Sequence, residues 1–134
     1  MQNQSTVLKM TSYSVVNFKY EINENFTSDE NNIPIPFNFG TEFKKVDENN
    51  LIAKFTVVIA DAEKFPFKLE LTIQSSFMSH NWEAQANQAE LTIASILFPY
   101  VRALITSLTS LAGEQPIILP VMNVAELIKN QQRQ

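Results

Sequence analysis

The sequence predicts an α+β fold in which a four-stranded antiparallel sheet has one face covered by a long C-terminal helix and a short last helix. Two patterns lead to this prediction. Apolar and polar residues alternate with a period of two along four stretches between residues 7 and 74. After them, apolar residues recur every three or four positions over residues 95–111, as on one face of a helix. The whole chain, 1–134, is expected to form a single domain.

The four strands follow one another along the first half of the chain. The first covers residues 7–23, where Tyr13 and Val15 interrupt the alternation on the polar side. A polar, proline-containing loop then leads to the second strand. The remaining strands are predicted from Phe37, over 51–59 and over 65–74, with turns at 47–50 and 61–64. Short connections between successive strands favour antiparallel pairing.

The long helix is predicted to begin at Ser95, whose side chain can accept from the free N–H groups of the first turn. Pro99 would then lie only about four residues inside, where a missing backbone donor costs little. Gly113 is expected to end the helix. Residues 83–94 are predicted to form a shorter helix before it, and residues 124–132 a last helix after a proline-bounded bridge.

Composition excludes several classes of function. The net charge of −4 and the pI near 4.9 argue against a nucleic-acid binder, which needs a basic surface. No cysteine is present, so disulfides and thiolate zinc sites are excluded. Residues 1–10 are too polar for a signal peptide. Between Leu91 and Gly113 only Arg102 is charged, yet Pro99 and a stripe of Ser and Thr favour a half-buried helix over a membrane span. The absence of cysteine suits a reducing cytoplasm.

No convincing catalytic or metal-binding set is present in the sequence. His80 is the only histidine and lies in a polar turn, where a solvated role is the commoner one. The two glycines, Gly40 and Gly113, are too far apart to form a phosphate-binding loop. Glu21 and Glu70 fall on the polar faces of different strands, as surface charges commonly do. The chain is therefore predicted to be a binding protein that uses no cofactor and no metal.

Aromatic residues indicate what the chain could bind. Ten phenylalanines, three tyrosines and one tryptophan are more aromatic residues than a sheet with one buried face usually needs to fill its core. Core filling accounts for most of them. Those next to predicted loops are candidates for lining an apolar groove, because rigid aromatic side chains give contact area at low entropic cost. These candidates are Phe26, Phe37, Phe39, Phe77 and Trp82.

One segment of the long helix and the bridge after it resemble a known family. The segment reads Ile96-Leu97-Phe98-Pro99-Tyr100-x-Arg102-x-x-Ile105-Thr106-Ser107, followed by Pro116 and by Leu119-Pro120-Val-x-Asn123. It is similar to the signature of the SecB export chaperones. The predicted order of elements agrees with that family over nearly the whole chain, although the strands are weak matches when taken alone.

The resemblance implies a cytoplasmic homotetramer, a dimer of dimers, that holds non-native polypeptides in apolar grooves without using ATP. The groove residues that it implies here are Ile35, Phe37, Phe39, Phe77 and Met78. An oligomer would also explain why apolar residues extend beyond one stripe of the long helix. Phe98, Tyr100 and Ile105 are the residues that we expect to pack across a subunit boundary.

Members of the family that pass clients to the export ATPase SecA use acidic groups on the exposed sheet face. Glu21 and Glu70 fall on matching positions. Asn17 stands where an aspartate is expected, and Lys68 where a small apolar residue is expected. The C-terminal tail carries no acidic extension. These departures weaken the case for SecA as a partner. They suit a chaperone dedicated to an antitoxin, or one from a phage or from an organism with a different export route.

Two other classes of function stay open at this stage. An α+β sheet protein can carry an apolar small ligand between its sheet and its helix, as a monomer or a dimer. An enzyme built on the same sheet is the third class, but no acid–base pair supports it. A clean monomer at micromolar concentration would argue for the ligand carrier and against the chaperone.

Overall fold

In a computed structural model, one long helix packs on one face of a four-stranded antiparallel sheet. The structure describes residues 8–24, 26, 35–60, 65–80, 86–114 and 117–119. Its elements are β1 (Lys9–Ile22), β2 (Phe37–Lys45), β3 (Asn50–Ile59), β4 (Phe67–Met78) and α1 (Ala86–Leu111). The predicted fold class is confirmed. The predicted last helix, at residues 124–132, lies outside the described residues.

The strand order is β1-β4-β3-β2, and every neighbouring pair is antiparallel. Two short connections join β2 to β3 and β3 to β4, as the sequence predicted. The first strand, however, pairs with the last, so β1 and β2 follow each other in sequence but lie at opposite ends of the strand order. Strands β1 and β2 are therefore the two edges.

The core lies between the two central strands and the helix. Odd-numbered residues of β3 and β4 all face α1, because alternate side chains of a strand point to opposite sides of a sheet. The helix meets them with residues spaced by three or four. The fully buried large side chains of this core include Leu51, Phe55, Ile59, Leu69, Leu71, Ile73, Phe77, Ile93, Leu97 and Ile105. The alternation in the sequence predicted these two strands correctly.

Strand β1 departs from simple alternation, because its register with β4 shifts twice. The shifts occur between Met10 and Ser12 and between Val15 and Asn17. Each inserts one extra residue, which moves the following side chains to the other face. Tyr13 and Val15 therefore pair with Ser75 and Ile73 and lie on the face that carries the helix. Their prediction as residues of the polar side is wrong.

Helix α1 begins at Ala86, nine residues before the predicted start, so residues 86–94 and 95–111 belong to one helix. Residues 83–85 of the predicted shorter helix lie outside the described residues. Ser95 is not a cap: it lies inside the helix and its hydroxyl donates to the Leu91 carbonyl at 2.9 Å. Pro99 is an interior residue. Its side chain is exposed, as is Ser95 one turn earlier. The carbonyl that a proline deprives of its partner thus lies on the wet side of the helix, which limits the cost.

The C-terminal end of α1 is as predicted. Gly113 has a φ of 88°, a left-handed conformation that favours glycine. The Glu114 N–H donates to the Thr109 carbonyl at 3.0 Å and the Gly113 N–H to the Ser110 carbonyl at 3.1 Å. The turn reverses the chain, which returns along the helix at residues 117–119.

By length and composition alone, the stretch Ala89–Leu111 could cross a membrane, with a mean hydropathy of 1.6 over its best window. Core helices of soluble proteins have the same properties, and Ile93, Leu97 and Val101 of this stretch belong to the core. The helix is therefore accounted for by packing on the sheet.

Candidate functional site

The β2 side of the sheet carries a half-buried apolar surface. Ile35, Phe37 and Phe39 of the predicted groove lie there, and all three keep part of their surface in solvent. The Phe39 ring stacks on the Phe55 ring, with the ring centroids 5.5 Å apart and an interplanar angle of 8°. The centroid of the Phe55 ring lies 6.3 Å from that of Phe98 on the helix. This chain of aromatic rings links the surface to the core. The surface is therefore held in place by packing rather than by the edge strand alone.

The other two predicted groove residues do not join this surface. Phe77 is fully buried, because it pairs with Leu51 and Met10 on the face under the helix. Met78 follows it along the strand, so it points to the opposite face, where it is exposed. Phe77 has no surface to offer to a ligand, and its prediction as a groove residue is wrong on this ground. Sequence proximity to a predicted loop had suggested otherwise, because β4 was expected to end four residues earlier.

The four predicted partner-contact residues come together on the outer face of the sheet, away from the helix. The Asn17 side-chain amide donates to Glu70 Oε2 at 2.6 Å. Lys19 Nζ lies 3.7 Å from the same oxygen. Glu21 and Lys68 are cross-strand partners one row further along β1 and β4. We call Asn17, Lys19, Glu21, Lys68 and Glu70 the outer patch.

A shallow cleft of about 410 Å³ opens at the outer patch, with Val58 beside it on β3. Its charged side chains are Lys19, Glu21, Lys68 and Glu70. Two cations and two anions leave it without net charge, and each glutamate has a lysine on the neighbouring strand. The outer patch can form hydrogen bonds with small polar groups. It does not present the acidic surface that attracts a basic partner.

Two of the three predicted oligomer residues are buried within their own subunit. Ile105 has no exposed surface and Phe98 has little, because both pack between the helix and the sheet. They cannot bury surface against a second copy, so this part of the prediction is corrected. Tyr100 remains exposed, and its ring lies 5.1 Å from Tyr13 of β1. Burial, together with the charge of Tyr100, raises the pKa of Tyr13.

A surface that the sequence did not reveal runs along edge strand β1. Val15, Phe18 and Ile22 face the helix side of the sheet, yet they are 44%, 41% and 56% exposed. The helix lies over β3 and β4 and does not cover them. Large apolar side chains beside an unpaired strand edge are typical of a surface that another chain covers. Strand order, which decides this exposure, cannot be read from alternation.

A second unforeseen feature is the way in which α1 holds residues 117–119, which we call the strap. Thr106 Oγ1 lies 2.6 Å from the Ile117 carbonyl oxygen, and the Ile117 N–H donates to Thr109 Oγ1 at 3.0 Å. Arg102 Nε donates to the Leu119 carbonyl at 2.7 Å. Arg102, Thr106 and Thr109 of the predicted polar stripe therefore bind the backbone of the strap, and Thr109 is buried rather than exposed to water.

The strap alternates in burial although it is only three residues long. Ile117 and Leu119 are buried in the core, whereas Ile118 between them is 66% exposed. The helix turn before the strap is also tied to β1, because the Tyr20 hydroxyl donates to Glu114 Oε1 at 2.7 Å. Burial and this hydrogen bond to a carboxylate raise the pKa of Tyr20 to about 12.

Among the described ranges, no group of three or more His, Cys, Asp or Glu side chains is arranged to hold a metal ion. His80 is exposed in the turn after β4. Ser75 has a buried hydroxyl without a hydrogen-bond partner, but it faces Ala53 and Tyr13 in the packed core. These observations supply no candidate for acid–base or metal chemistry.

Comparison with known proteins gives consistent matches. The family model described as preprotein translocase subunit SecB matches residues 2–134. An uncharacterized protein of Methanocaldococcus jannaschii is 32% identical over an alignment of 130 positions, and the match covers 92% of this chain and 83% of that protein.

Two solved structures share the fold at low identity. A SecB-like chaperone of Mycobacterium tuberculosis, solved in complex with a ChAD peptide from an antitoxin, superposes with a TM-score of 0.66 at 12% identity, covering 86% of this chain and 90% of that one. A protein of unknown function from Streptococcus agalactiae gives 0.63 at 17% identity, covering 87% and 99%. At these identities the likeness concerns the fold.

Proposed function

Because the chain belongs to the SecB family of preprotein translocase subunits, we propose that it is an ATP-independent chaperone that holds non-native polypeptides. The observation that carries this proposal is the half-buried apolar surface of Ile35, Phe37 and Phe39, backed by the Phe39–Phe55–Phe98 rings. A preformed apolar surface binds without first paying the entropy of ordering its own side chains. We name it the client surface, and we propose that it acts in the cytoplasm.

Apolar contacts explain why such a surface selects unfolded chains. Burying one client leucine or phenylalanine contributes roughly 1.5–3 kcal/mol, which is too little for lasting capture. Several contacts along one extended chain, repeated over several subunits, become intramolecular events and add orders of magnitude in affinity. A folded protein keeps its apolar residues inside and cannot make these contacts. Selection for the non-native state then needs no sequence code and no ATP.

Assembly into a homotetramer, a dimer of dimers, is part of the same proposal. The exposed Val15, Phe18 and Ile22 of edge strand β1, together with Tyr100, support self-association at this edge. A second copy would pair the free strand edge and cover the apolar side chains. Sedimentation at micromolar concentration tests this step, and a clean monomer would contradict it.

An antitoxin is a candidate for a dedicated client. The M. tuberculosis protein with a similar fold was solved in complex with an antitoxin peptide. That complex suggests an antitoxin as the class of client to test. SecA is a weaker candidate for a partner, because the outer patch carries two lysines beside its two glutamates. Binding to SecA through charge pairs would lose about 1 kcal/mol of binding free energy for each acidic contact that is replaced at a partly exposed rim.

The alternative of a carrier for an apolar small ligand would need space between sheet and helix. That region is filled in the described part of the chain, where Phe55, Leu71 and Ile93 have no exposed surface. Close packing of this kind leaves ligands no room without displacing side chains. The packing favours the chaperone over the carrier.

The proposed function is tested by suppression of aggregation of a chemically denatured client at stoichiometric ratio. We expect the wild type to suppress light scattering and the double variant F37A/F39A to bind the client roughly thirtyfold more weakly, if each ring contributes about 1 kcal/mol. Ile52→Ala is the matched control, because Ile52 is a half-buried apolar residue on the outer face of β3. Equal activity of all three proteins, or inactivity of a folded wild type, would refute the proposal.

A further inference from the structure

The backbone groups of β2 point alternately toward β3 and away from it. The Ala60 N–H donates to the Pro36 carbonyl at 3.2 Å, and the Val46 N–H donates to the Asn50 carbonyl at 2.9 Å. Both bonds continue the register that pairs β2 with β3, and both fall on even-numbered residues directly outside β2. In an antiparallel pair, residues that exchange hydrogen bonds alternate with residues that do not. The odd-numbered residues of β2 therefore direct their N–H and C=O groups away from β3.

The side chains of the same odd-numbered residues lie on the helix side of the sheet. They are half-buried and are the cross-strand partners of buried residues of β3: Phe37, Phe39, Thr41 and Phe43. The Phe37 N–H donates to the Ile35 carbonyl at 3.0 Å, within the chain that enters the strand. Further along, β2 is an edge strand of the described sheet, so Thr41 and Phe43 present their backbone polar groups at that edge. The edge and the apolar rings of the client surface are thus continuous.

The sequence sets limits to the stretch of this edge that another strand can pair with. Pro36, directly before β2, has no N–H to donate. Lys44 and Lys45 end the strand with exposed cationic side chains, which discourage pairing at a sheet edge. Between these limits the one charged side chain is Glu42, and it points to the outer face. Residues 37–43 therefore offer an edge that is uncharged on the helix side.

We propose that a non-native polypeptide binds as a fifth, antiparallel strand along β2, with hydrogen bonds to the backbone of Thr41 and Phe43 and with every second side chain on the client surface. This inference rests on the proposed function and adds to it the conformation in which the client is held. Backbone pairing contributes affinity whatever the sequence of the client, while the alternate side chains favour apolar residues. The segments that bind are then extended, and proline is disfavoured where the client N–H must face β2.

N-methylated peptides test the proposal, because a methyl group on a backbone nitrogen removes one donor and leaves every side chain in place. The probes are three ten-residue peptides in which leucine alternates with serine: one unmodified, one N-methylated at three leucines and one N-methylated at three serines. In an antiparallel pairing, the leucines on the client surface also direct their N–H groups toward β2. Methylation of the leucines should weaken binding about thirtyfold in fluorescence anisotropy, whereas methylation of the serines should weaken it less than about threefold.

Thr41→Pro is the matching change in the protein. It removes an N–H that points away from β3, a position at which an edge strand tolerates proline, so the pairing with β3 is kept. T41P should bind the unmodified peptide about tenfold more weakly, and Thr41→Val, which keeps the N–H, should bind it as wild type does. In wild type, the bound peptide should slow hydrogen exchange of the Thr41 and Phe43 amides and leave that of Glu42, which faces β3, unchanged.

The outcomes separate this inference from the proposed function. Equal binding of the two methylated peptides, or unchanged exchange at Thr41 and Phe43 in the complex, would overturn strand addition and leave client holding intact. A greater effect of the methylated serines would indicate a parallel strand and contradict the antiparallel pairing. If T41P sediments as a smaller species, a second copy of the chain occupies the edge and the proposal is overturned. If no peptide binds, the proposed function fails as well. Should T41P not fold, the peptides and the exchange measurement on wild type decide.

Discussion

Thr109→Val tests the hydrogen bond between the helix and the strap most directly. Thr109 is fully buried, and its hydroxyl accepts from the Ile117 N–H at 3.0 Å while it donates to the Ile105 carbonyl at 2.8 Å. Valine has nearly the same shape, so no cavity is created. The Ile117 N–H is left without a partner in a buried segment.

The cost follows from that single orphaned donor. An unsatisfied buried N–H costs about 1–3 kcal/mol, and we take about 2 kcal/mol for this site. For a chain of this length, such a loss lowers Tm by roughly 8 °C. Thr109→Ser keeps the hydroxyl and should cost only about 1 kcal/mol, from the lost methyl group.

The assay is urea unfolding at one fixed protomer concentration, since self-association would otherwise shift the midpoint. Ser110→Ala is the control, because Ser110 is the exposed neighbour of Thr109 on the same helix. Hydrogen exchange of the Ile117 amide should accelerate in T109V and not in S110A. A T109V variant as stable as wild type, with unchanged exchange at Ile117, would refute the described contact.

Three further predictions concern the edge strand, the helix end and the interior proline. The double variant F18K/I22K places two charges on the exposed edge of β1 and should shift the protein to a smaller species in sedimentation, whereas Lys54→Ala on the outer face should not. The pKa of Tyr20 is raised from 10.0 to about 12 in the folded protein, so its contribution to stability is complete below pH 10 and is lost as the pH rises through 12. Between pH 10 and pH 12 the free energy of unfolding, measured by urea unfolding, should therefore fall less in Y20F than in wild type. The same fall in both proteins would contradict the Tyr20–Glu114 contact. Pro99→Ala restores a backbone N–H inside α1 and should stabilise the chain by about 1–3 kcal/mol in urea unfolding; a lower midpoint would show that the exposed proline has another role.

Much of the architecture was predictable because β3 and β4 alternate without interruption. Both are central strands, and the odd-numbered residues from Leu51 to Ile59 in β3 all face the helix. Strand β1 was not predictable in the same way. Its two bulges move Tyr13 and Val15 to the helix side, and the interruption of the alternation at these two residues was interpreted as a mild exception within one regular strand.

The helix start was wrong because Pro99 was interpreted as a residue of the first turn. The structure tolerates it in the interior, since its neighbourhood on the helix is exposed to water. The buried positions of Phe98 and Ile105 follow from this longer helix and its placement on the sheet.

How far the sequence could bring candidate residues together depended on the order of the strands. Glu21 and Glu70 were predicted on the polar faces of two strands, and the structure shows that those strands are neighbours. The strap was not foreseen, because Thr106 and Thr109 are indistinguishable in sequence from solvated helix residues. The return of the chain after Gly113 gives these hydroxyls their partners on Ile117, in addition to carbonyls of the helix itself.

Site-specific photo-crosslinking to a denatured client tests the central claim most directly. A photoreactive residue at Phe37, on the helix side of β2, is compared with one at Asn38, its neighbour on the outer face. We predict crosslinks from position 37 to the denatured client, few from position 38, and none from either to the same protein when folded. Crosslinks that favour position 38, or that form equally with the folded protein, would contradict a client surface built on Ile35, Phe37 and Phe39.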